Sequence, residues 1–372
     1  MKLKYLPFLL LAALITSSQF CLGQLNPKIA PIVKQFENQI NADLMKDNLH
    51  GSISAAIIKN NKVIWSGAFG YAKREKDAPA NTGTIYRIGS ITKTFTAALL
   101  MLLVEDGKLK LDDPVENYLP EIKKLQGYDA DHKITFRQLA SHTSGLDREP
   151  AMKYADAGPL GQWEEKLLSC IPHTSFISKP GARFFYSNIG YALLGLAISR
   201  AAGVPYMQLV QQRILAPLHM DDTFFALPND QIDRLAEGMS NNGKNVNTAQ
   251  PLFELKGRGY KVPNGGIFTT PNDLAKFVLS LMGYHPLLTA KSRAQMLVIP
   301  PGGDNYGFGI SIFNKPPLNV IRHNGSVPGY TATYSIEQDS RYAVILMRNY
   351  NDGSTDMDKV ALDVLKQLKQ VD

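Results

Sequence analysis

Apolar and polar residues alternate in two groups of short segments, one near each end of the chain. In the first group, residues 51–71 alternate around the polar turn Lys59-Asn60-Asn61-Lys62, which is typical of a β-hairpin. The second group predicts strands at 307–313, 319–322, 331–337 and 342–348, followed by a helix at 356–368. We therefore expect strands from both chain ends to form one antiparallel sheet.

Between these two groups, the spacing of apolar residues is helical. Residues 92–105 are apolar nearly all round, 136–141 are amphipathic, and 189–201 are rich in Leu and Ala. The pattern predicts an α+β fold, in which an antiparallel sheet from both chain ends is flanked by helices and a mostly helical lobe is inserted. We assign 24–90 and 260–372 to the sheet-containing α/β lobe and 91–259 to the helical lobe, with a cleft between them.

The first residues have the composition of a secretory signal peptide. Lys2 and Lys4 form a basic start, and an apolar run at residues 5–15 leads to small residues that end at Gly23. This run is shorter than the roughly 20 apolar residues of a membrane-spanning helix. We predict a signal peptide at 1–23, no transmembrane segment in the mature chain, and a periplasmic or secreted protein. A lipoprotein attached through Cys21 is the alternative.

Composition and charge restrict the class of partner. The chain has 372 residues, of which 44% are hydrophobic and 20% charged, as in soluble globular proteins. Its net charge is +7, but the basic residues form no tract of the kind that binds nucleic acid, so no nucleic-acid partner is expected. Removal of residues 1–23 leaves Cys170 as the last of two cysteines, which excludes an intrachain disulfide.

Ser90 and Lys93 form the first candidate for chemistry. They precede an apolar run and lie three residues apart, so both belong to one face of the first helical turn. Apolar surroundings disfavour the ammonium form of a lysine, which allows its amine to accept the proton of a serine hydroxyl. However, a serine before a helix is usually only an N-cap. The spacing alone leaves both interpretations open.

Two further segments carry candidate site residues. Tyr186 precedes the helix at 189–201 and offers a phenol for proton transfer, while Asn188 offers an amide to a substrate; a buried tyrosine and an Asn helix cap are the alternatives. In His323-Asn324-Gly325-Ser326, a glycine at the end of a strand indicates close approach by a ligand or another backbone. The N–H of Ser326 is then a candidate oxyanion donor, although His323 alone is equally compatible with a surface histidine.

The order of these segments resembles the serine beta-lactamase and penicillin-binding-protein superfamily. It is most similar to the class C beta-lactamase and D-alanyl-D-alanine carboxypeptidase branch, which also contains esterases and D-aminopeptidases. The resemblance extends from about residue 40 to residue 368. It rests mainly on Gly89-Ser90-Ile91-Thr92-Lys93, Ser141-His142-Thr143-Ser144-Gly145, Tyr186-Ser187-Asn188, Gly265-Gly266 and His323-Asn324-Gly325.

The resemblance implies a role for each site residue. Ser90 would be the acylated nucleophile, Lys93 its proton acceptor, and Tyr186 the group that passes protons to the leaving group and activates water. Asn188 would orient the amide on the acyl side of the substrate. The backbone N–H groups of Ser90 and Ser326 would form the oxyanion hole, and His142 would be structural.

His323 departs from the family pattern. Where beta-lactamases and carboxypeptidases of this superfamily usually carry Lys-Thr-Gly, this chain has His323-Asn324-Gly325. An imidazole has an ordinary pKa near 6.5 and is largely uncharged at neutral pH. We therefore expect a preference for uncharged substrates over penicillins and D-Ala-D-Ala termini, whose carboxylates would face this position.

These observations predict a secreted serine hydrolase that forms an acyl-enzyme at Ser90. The expected substrate is a small molecule or peptide containing an ester, an amide or a D-amino acid. A genuine beta-lactamase or DD-carboxypeptidase, and a sensor that is acylated but not turned over, are the alternatives. The sequence contains no metal-binding or phosphate-binding motif, so no metal and no cofactor are expected, and the oligomeric state stays open.

Overall fold

The computed structural model describes residues 25–73, 78–239 and 258–372. The predicted signal peptide and Cys21 lie outside these residues. The described helices are α1 Ala30–Asp47, α2 Thr92–Glu105, α3 Phe136–Ala140, α4 Trp163–Cys170, α5 Asn188–Ala202, α6 Tyr206–Val210, α7 Pro271–Leu281, α8 Ala290–Met296 and α9 Met357–Gln370. The described strands are β1 Ser52–Lys59, β2 Lys62–Lys73, β3 Ala78–Pro79, β4 Tyr86–Arg87, β5 Phe268–Thr269, β6 Ser311–Lys315, β7 Leu318–Val327, β8 Tyr330–Glu337 and β9 Tyr342–Arg348.

Strands from both chain ends form one antiparallel sheet in the order β3-β2-β1-β9-β8-β7-β6. The predicted hairpin corresponds to β1 and β2, and β1 pairs directly with β9, so that Ala56 is opposite Ile345. Strands β4 and β5 form a separate two-stranded sheet, and β4 is followed by the short turn Gly89–Ile91. The predicted α+β class is confirmed.

Two predicted strands have different bounds, and both differences affect the candidate site. Strand β6 begins at Ser311 rather than at residue 307, because Gly309 adopts φ +65° where the chain turns against α2. A Cβ at Gly309 would lie 2.7 Å from the carbonyl oxygen of Lys93. Strand β7 continues to Val327, five residues beyond the predicted end, because its ladder with β8 extends through His323-Asn324-Gly325.

Helices cover both faces of the large sheet. On one face, α1 and α9 bury apolar residues of β1 and β9, including Ile57 and Val344. On the other face, a hydrophobic cluster extends from Ile345 of β9 through Leu99 of α2 to Leu194 of α5. This cluster joins the sheet to the inserted helices, and α2 lies at its centre with most side chains buried.

Several helix starts follow from local side-chain capping. Thr135 and Gln138 form a capping box at α3, Thr270 caps α7 before Pro271, and Asp356 caps α9. Within the described ranges, no single helix is long and apolar enough to cross a bilayer. Helix α5 and the segment Tyr206–Leu215 reach the required length and apolar character only when taken together. A 79° bend separates them, and both contribute to the hydrophobic core.

Candidate active site

Ser90 lies in a short 3-10 turn, Gly89–Ile91, that leads into α2. Its side chain caps neither this turn nor α2, because the residues at both N-cap positions make no side-chain capping bond and neither of them is Ser90. Ser90 is half-buried, whereas Lys93, one turn later, is fully buried. The helix-capping interpretation of Ser90 is therefore wrong, and the hydroxyl is available for other contacts.

Strand β7 packs directly against this turn. A Cβ at Gly325 would collide with the carbonyl oxygen of Ile88 and would lie 2.8 Å from the amide nitrogen of Ser90. Likewise, a Cβ at Gly89 would lie 2.9 Å from the amide nitrogen of Ser326. Glycine at both positions allows the two backbones to touch. The structure thus brings Ser90 and Ser326 together as the sequence predicts.

The part of β7 beside Ser90 is an open sheet edge. Pairing between β6 and β7 ends at Ser311 opposite Arg322, whereas β7 stays paired with β8 as far as Val327. Residues 323–327 therefore have a strand partner on one side only among the residues that the structure describes. An extended ligand can add to such an edge through backbone hydrogen bonds.

The amine of Lys93 has three polar neighbours. Its Nζ lies 3.0 Å from Oγ of Ser90, 2.8 Å from Oδ1 of Asn188 and 3.0 Å from the carbonyl oxygen of Asn264. The last two atoms only accept hydrogen bonds. A neutral amine has two N–H donors and one lone pair, so both donors are used by these acceptors and the lone pair is left for the hydroxyl of Ser90.

Burial favours this neutral form of Lys93. Desolvation lowers the pKa of its amine well below the ordinary 10.5. The charge of Glu149 opposes this effect and raises the pKa, whereas the charges of Arg148 and Lys261 lower it further. Lys261 and Glu149 are paired, with Nζ 3.3 Å from Oε1. The site therefore places an amine with a depressed pKa beside the nucleophile candidate.

Asn188 connects Lys93 to Glu149. It is the first residue of α5, and Ser187 rather than Asn188 is the N-cap. Nδ2 of Asn188 donates to Oε1 of Glu149 at 2.6 Å, which fixes the amide orientation and points Oδ1 at Lys93. Oε2 of Glu149 accepts from the hydroxyl of Tyr260. Asn188 therefore positions Lys93, and one N–H of its amide remains for a substrate.

Tyr186 completes the group around Ser90. Burial raises the pKa of its phenol to about 12, while a side-chain hydrogen bond with Ser90 and the charge of Arg148 act in the opposite direction. Nζ of Lys93 lies 4.9 Å from the centre of the Tyr186 ring. At neutral pH the phenol is protonated, so Tyr186 is a proton donor rather than a free base.

His142 supports the Tyr186 ring. Their ring centres are 4.1 Å apart, and Nδ1 of His142 accepts the N–H of Ser187 at 3.0 Å. Burial lowers the pKa of His142 well below 6.5, so the imidazole is neutral. Its contacts hold the segment that carries Tyr186 and are consistent with the structural role expected from the sequence.

His323 is buried, with 3% of its surface exposed, rather than presented to the cleft. Its Nδ1 lies 2.6 Å from the carbonyl oxygen of Asn324, and its Nε2 lies 2.8 Å from the hydroxyl of Tyr306. A neutral ring satisfies both contacts when Nδ1 donates to the carbonyl and Nε2 accepts from the phenol. Desolvation lowers the pKa of His323 to about 3. His323 is therefore uncharged and fully occupied by protein contacts.

Four residues of the site have no signal in the sequence. Glu149, Asn264 and Tyr306 reach it through long-range contacts with Asn188, Lys93 and His323. Arg148 lies over the ring of Tyr186, with Cζ 5.1 Å from the ring centre. For Arg148 and Glu149, the sequence shows only that they follow the family segment Ser144-Gly145-Leu146 within three residues.

The Beta-lactamase family model matches residues 38–369. The chain belongs to the Beta-lactamase family. The resemblance to the serine beta-lactamase and penicillin-binding-protein superfamily is therefore confirmed. Among solved structures, the octameric penicillin-binding protein homologue from Pyrococcus abyssi is 28% identical, with a TM-score of 0.75 over 91% of this chain and 77% of that one. The beta-lactamase/D-alanine carboxypeptidase from Yersinia pestis, at 24% identity, shares the fold, with a TM-score of 0.74 over 92% of this chain and 99% of that one.

Curated relatives of this Beta-lactamase family chain are longer. Protein flp of Staphylococcus aureus strain N315 is 27% identical over 324 residues, which are 86% of this chain and 63% of that protein. Beta-lactamase-like protein 2 of Dictyostelium discoideum is 31% identical over 272 residues, which are 71% of this chain and 48% of that protein. The chain thus spans about half to two thirds of the length of these relatives.

Proposed function

We propose that this chain is a secreted serine hydrolase that acts through an acyl-enzyme at Ser90 on an ester, an amide or a D-amino-acid-containing peptide. The arrangement around Lys93 carries the proposal. Nζ of Lys93 lies 3.0 Å from Oγ of Ser90 and within hydrogen-bond distance of two acceptor oxygens. In the neutral amine these two oxygens use both N–H donors, which leaves the lone pair for the proton of the Ser90 hydroxyl. This geometry suits a base that activates a nucleophile.

In acylation, Lys93 accepts the Ser90 proton while Oγ bonds to the substrate carbonyl carbon. The negative charge that develops on the carbonyl oxygen is stabilised by the backbone N–H groups of Ser90 and Ser326; each donor of this kind contributes about 10²- to 10³-fold in rate. The bond to the leaving group then breaks as Tyr186 donates a proton to it. Lys93 then gives the proton that it took from Ser90 to the Tyr186 phenolate, so no net charge accumulates on the two residues.

In deacylation, water replaces the leaving group and the steps reverse. Because the pKa of Tyr186 is raised to about 12, only a small fraction of its phenol is ionised at neutral pH. Tyr186 therefore takes the proton of the attacking water only as it passes its own proton towards Lys93. The bond between Oγ and the acyl carbon breaks, and Ser90 regains its proton.

The names of similar proteins support hydrolysis of a carbonyl substrate but differ in detail. They include a beta-lactamase/D-alanine carboxypeptidase and a penicillin-binding protein homologue. The buried, neutral His323 favours substrates that have no carboxylate facing β7. Secretion is proposed from the basic and apolar pattern of residues 1–23 alone.

The test is hydrolysis of 4-nitrophenyl hexanoate by the wild type and by Ser90→Ala. We expect steady turnover by the wild type and loss of at least about 10³-fold in Ser90→Ala, since a nucleophile has no local substitute. Ser169→Ala, at an exposed position of α4, is the matched control and should retain wild-type turnover. Equal turnover by Ser90→Ala would remove Ser90 from the mechanism.

Burst kinetics distinguish the enzyme from the acylated sensor. An enzyme releases nitrophenol continuously after the first turnover, whereas a sensor releases one equivalent and stops. Intact mass measurement of the stopped sample then locates the acyl group. A one-equivalent burst without further release would establish the sensor and contradict the proposed hydrolase.

A further inference from the structure

Among the described residues around Ser90, Arg148 is a permanent cation whose side chain has no hydrogen-bond or ion-pair partner. The guanidinium of Arg148 is exposed and makes one contact, with the face of the Tyr186 ring at 5.1 Å. The other basic residues near Ser90 are occupied. Lys261 is paired with Glu149, and Lys93 donates to two acceptors.

The backbone of Arg148 is held in place although its side chain is exposed. Its carbonyl oxygen accepts the N–H groups of Asn188 and Ile189 at 2.9 and 3.3 Å, which ties Arg148 to the first turn of α5. The same helix positions Asn188 against Lys93. The backbone that carries the guanidinium is therefore fixed with respect to the nucleophile, and the guanidinium itself lies over the ring of Tyr186.

Two other basic residues near Ser90, His323 and Lys93, do not supply a permanent positive charge. His323 is neutral, and the pKa of Lys93 is depressed, so neither provides a permanent positive charge to a bound anion. A guanidinium stays charged at all relevant pH values and matches a carboxylate with two parallel N–H donors. Glu149, next in the chain, does not neutralise Arg148, because its oxygens accept from Asn188, Tyr260 and Lys261.

We propose that Arg148 forms an anion subsite on the helical wall of the catalytic pocket and selects substrates that carry a carboxylate on the acyl group. This inference rests on the proposed hydrolase function and specifies its substrate class. It is compatible with a neutral β7 wall, because the carboxylate is received on the side of Tyr186 and α5 rather than beside His323. The subsite would favour acids such as dicarboxylate monoesters or acyl groups that end in an acidic residue.

The experiment compares two esters that differ only in a terminal carboxylate, mono-4-nitrophenyl adipate and 4-nitrophenyl hexanoate. The readout is the ratio of their kcat/KM values, corrected for uncatalysed hydrolysis. We expect Arg148→Gln to lower this ratio about fivefold or more, in the range between an exposed ion pair and a bidentate Arg-carboxylate pair. Arg148→Lys should retain part of the ratio, since it keeps the charge but not the two-donor geometry.

Two controls make the ratio specific. Arg200→Gln removes an exposed arginine at the opposite end of α5, where it pairs with Glu121, and should leave the ratio unchanged. Added NaCl should lower the wild-type ratio and have little effect on that of Arg148→Gln, because salt screens exposed charges. Thermal unfolding of each variant confirms that the fold is retained.

The outcomes separate this inference from the proposed function. Hydrolysis of the hexanoate that depends on Ser90, with a ratio that Arg148→Gln does not change, would overturn the anion subsite and leave the hydrolase intact. A ratio that falls equally in Arg200→Gln would overturn it as well. Failure of the wild type to hydrolyse either ester would reject both proposals.

Discussion

On the helical side of the pocket, contacts are made by charged and polar side chains, whereas on the sheet side they are made by backbone. Lys93, Asn188 and Glu149 form a chain of hydrogen bonds that ends at Ser90. Strand β7 instead approaches Ser90 through Gly325, and its nearest titratable side chain, His323, is buried and neutral. We therefore expect side chains on the helical side, Lys93 and Tyr186, to transfer protons. We expect the backbone of β7 on the sheet side to bind the developing oxyanion.

The largest effect is expected from removing the base on the helical wall. Lys93→Met keeps the volume of an apolar core position but removes the lone pair that faces Ser90. We expect kcat/KM for 4-nitrophenyl hexanoate to fall by about 10³-fold, within the usual range for general base catalysis. Lys366→Met, at an exposed position of α9, is the control. A loss below about tenfold would mean that the proton leaves Ser90 by another path.

The next effect concerns the backbone of the sheet wall. Gly325→Ala would place a methyl group against the carbonyl of Ile88 and push β7 away from Ser90. We expect about a 10²-fold loss of kcat, comparable to the loss of one oxyanion donor. Gly161→Ala, where a Cβ meets no atom within 4 Å, controls for substitution of a glycine. If Gly325→Ala retains full activity with unchanged unfolding temperature, the oxyanion role of β7 is wrong.

Two neighbouring charges should shift the pH profile in opposite directions. Glu149 raises the pKa of Lys93 and Arg148 lowers it. The acidic limb of kcat/KM reports the pKa of the base in the free enzyme. Glu149→Gln should therefore move this limb to lower pH, and Arg148→Gln should move it to higher pH. The measurement is a pH profile with the neutral hexanoate ester, and shifts in the same direction would contradict the assignment of Lys93.

The smallest effect on rate is expected at His323, where the main consequence is for stability. Its pKa is near 6.5 in the unfolded chain and about 3 in the folded protein, so only the unfolded chain takes up this proton below pH 6.5. Stability is then lost as the pH falls. Between pH 6.5 and 5 this group accounts for a loss of about 2 kcal/mol in the free energy of unfolding.

His323→Gln removes this titration and keeps an acceptor for Tyr306. Denaturant unfolding at the two pH values should show a smaller difference for the variant than for the wild type. His132→Gln, at an exposed histidine, is the control. An identical pH dependence in wild type and His323→Gln would show that the imidazole is already protonated in the folded protein or exposed to water.

Local features of the fold and site are predictable from sequence, and long-range ones are not. Ser90 and Lys93 are three residues apart at the start of an apolar helix, so their proximity follows from helical geometry. The hairpin and the closing helix follow from hydrophobic periodicity. For strand β7, by contrast, the apolar pattern predicts an end at residue 322, because a short apolar run does not reveal the ladder with β8 that continues to Val327.

The residues around the nucleophile come together through long-range packing, which the spacing of residues along the sequence does not reveal. Glu149 reaches Asn188 across 39 residues, and Asn264 reaches Lys93 across 171. Tyr306, which bonds Nε2 of His323, lies 17 residues before it in the chain. The expected preference for uncharged substrates therefore stays a prediction for groups that face β7, while Arg148 changes the expectation for the helical wall.

The protonation state of Lys93 tests the central claim most directly. In protein labelled with 13C at the lysine Cε, the Lys93 signal is assigned by its absence in Lys93→Met and followed as the pH is raised. The account predicts that this signal titrates well below 10.5, the ordinary lysine pKa, while exposed lysines such as Lys366 titrate normally. A Lys93 ammonium that persists to pH 10.5 would contradict a neutral amine facing Ser90.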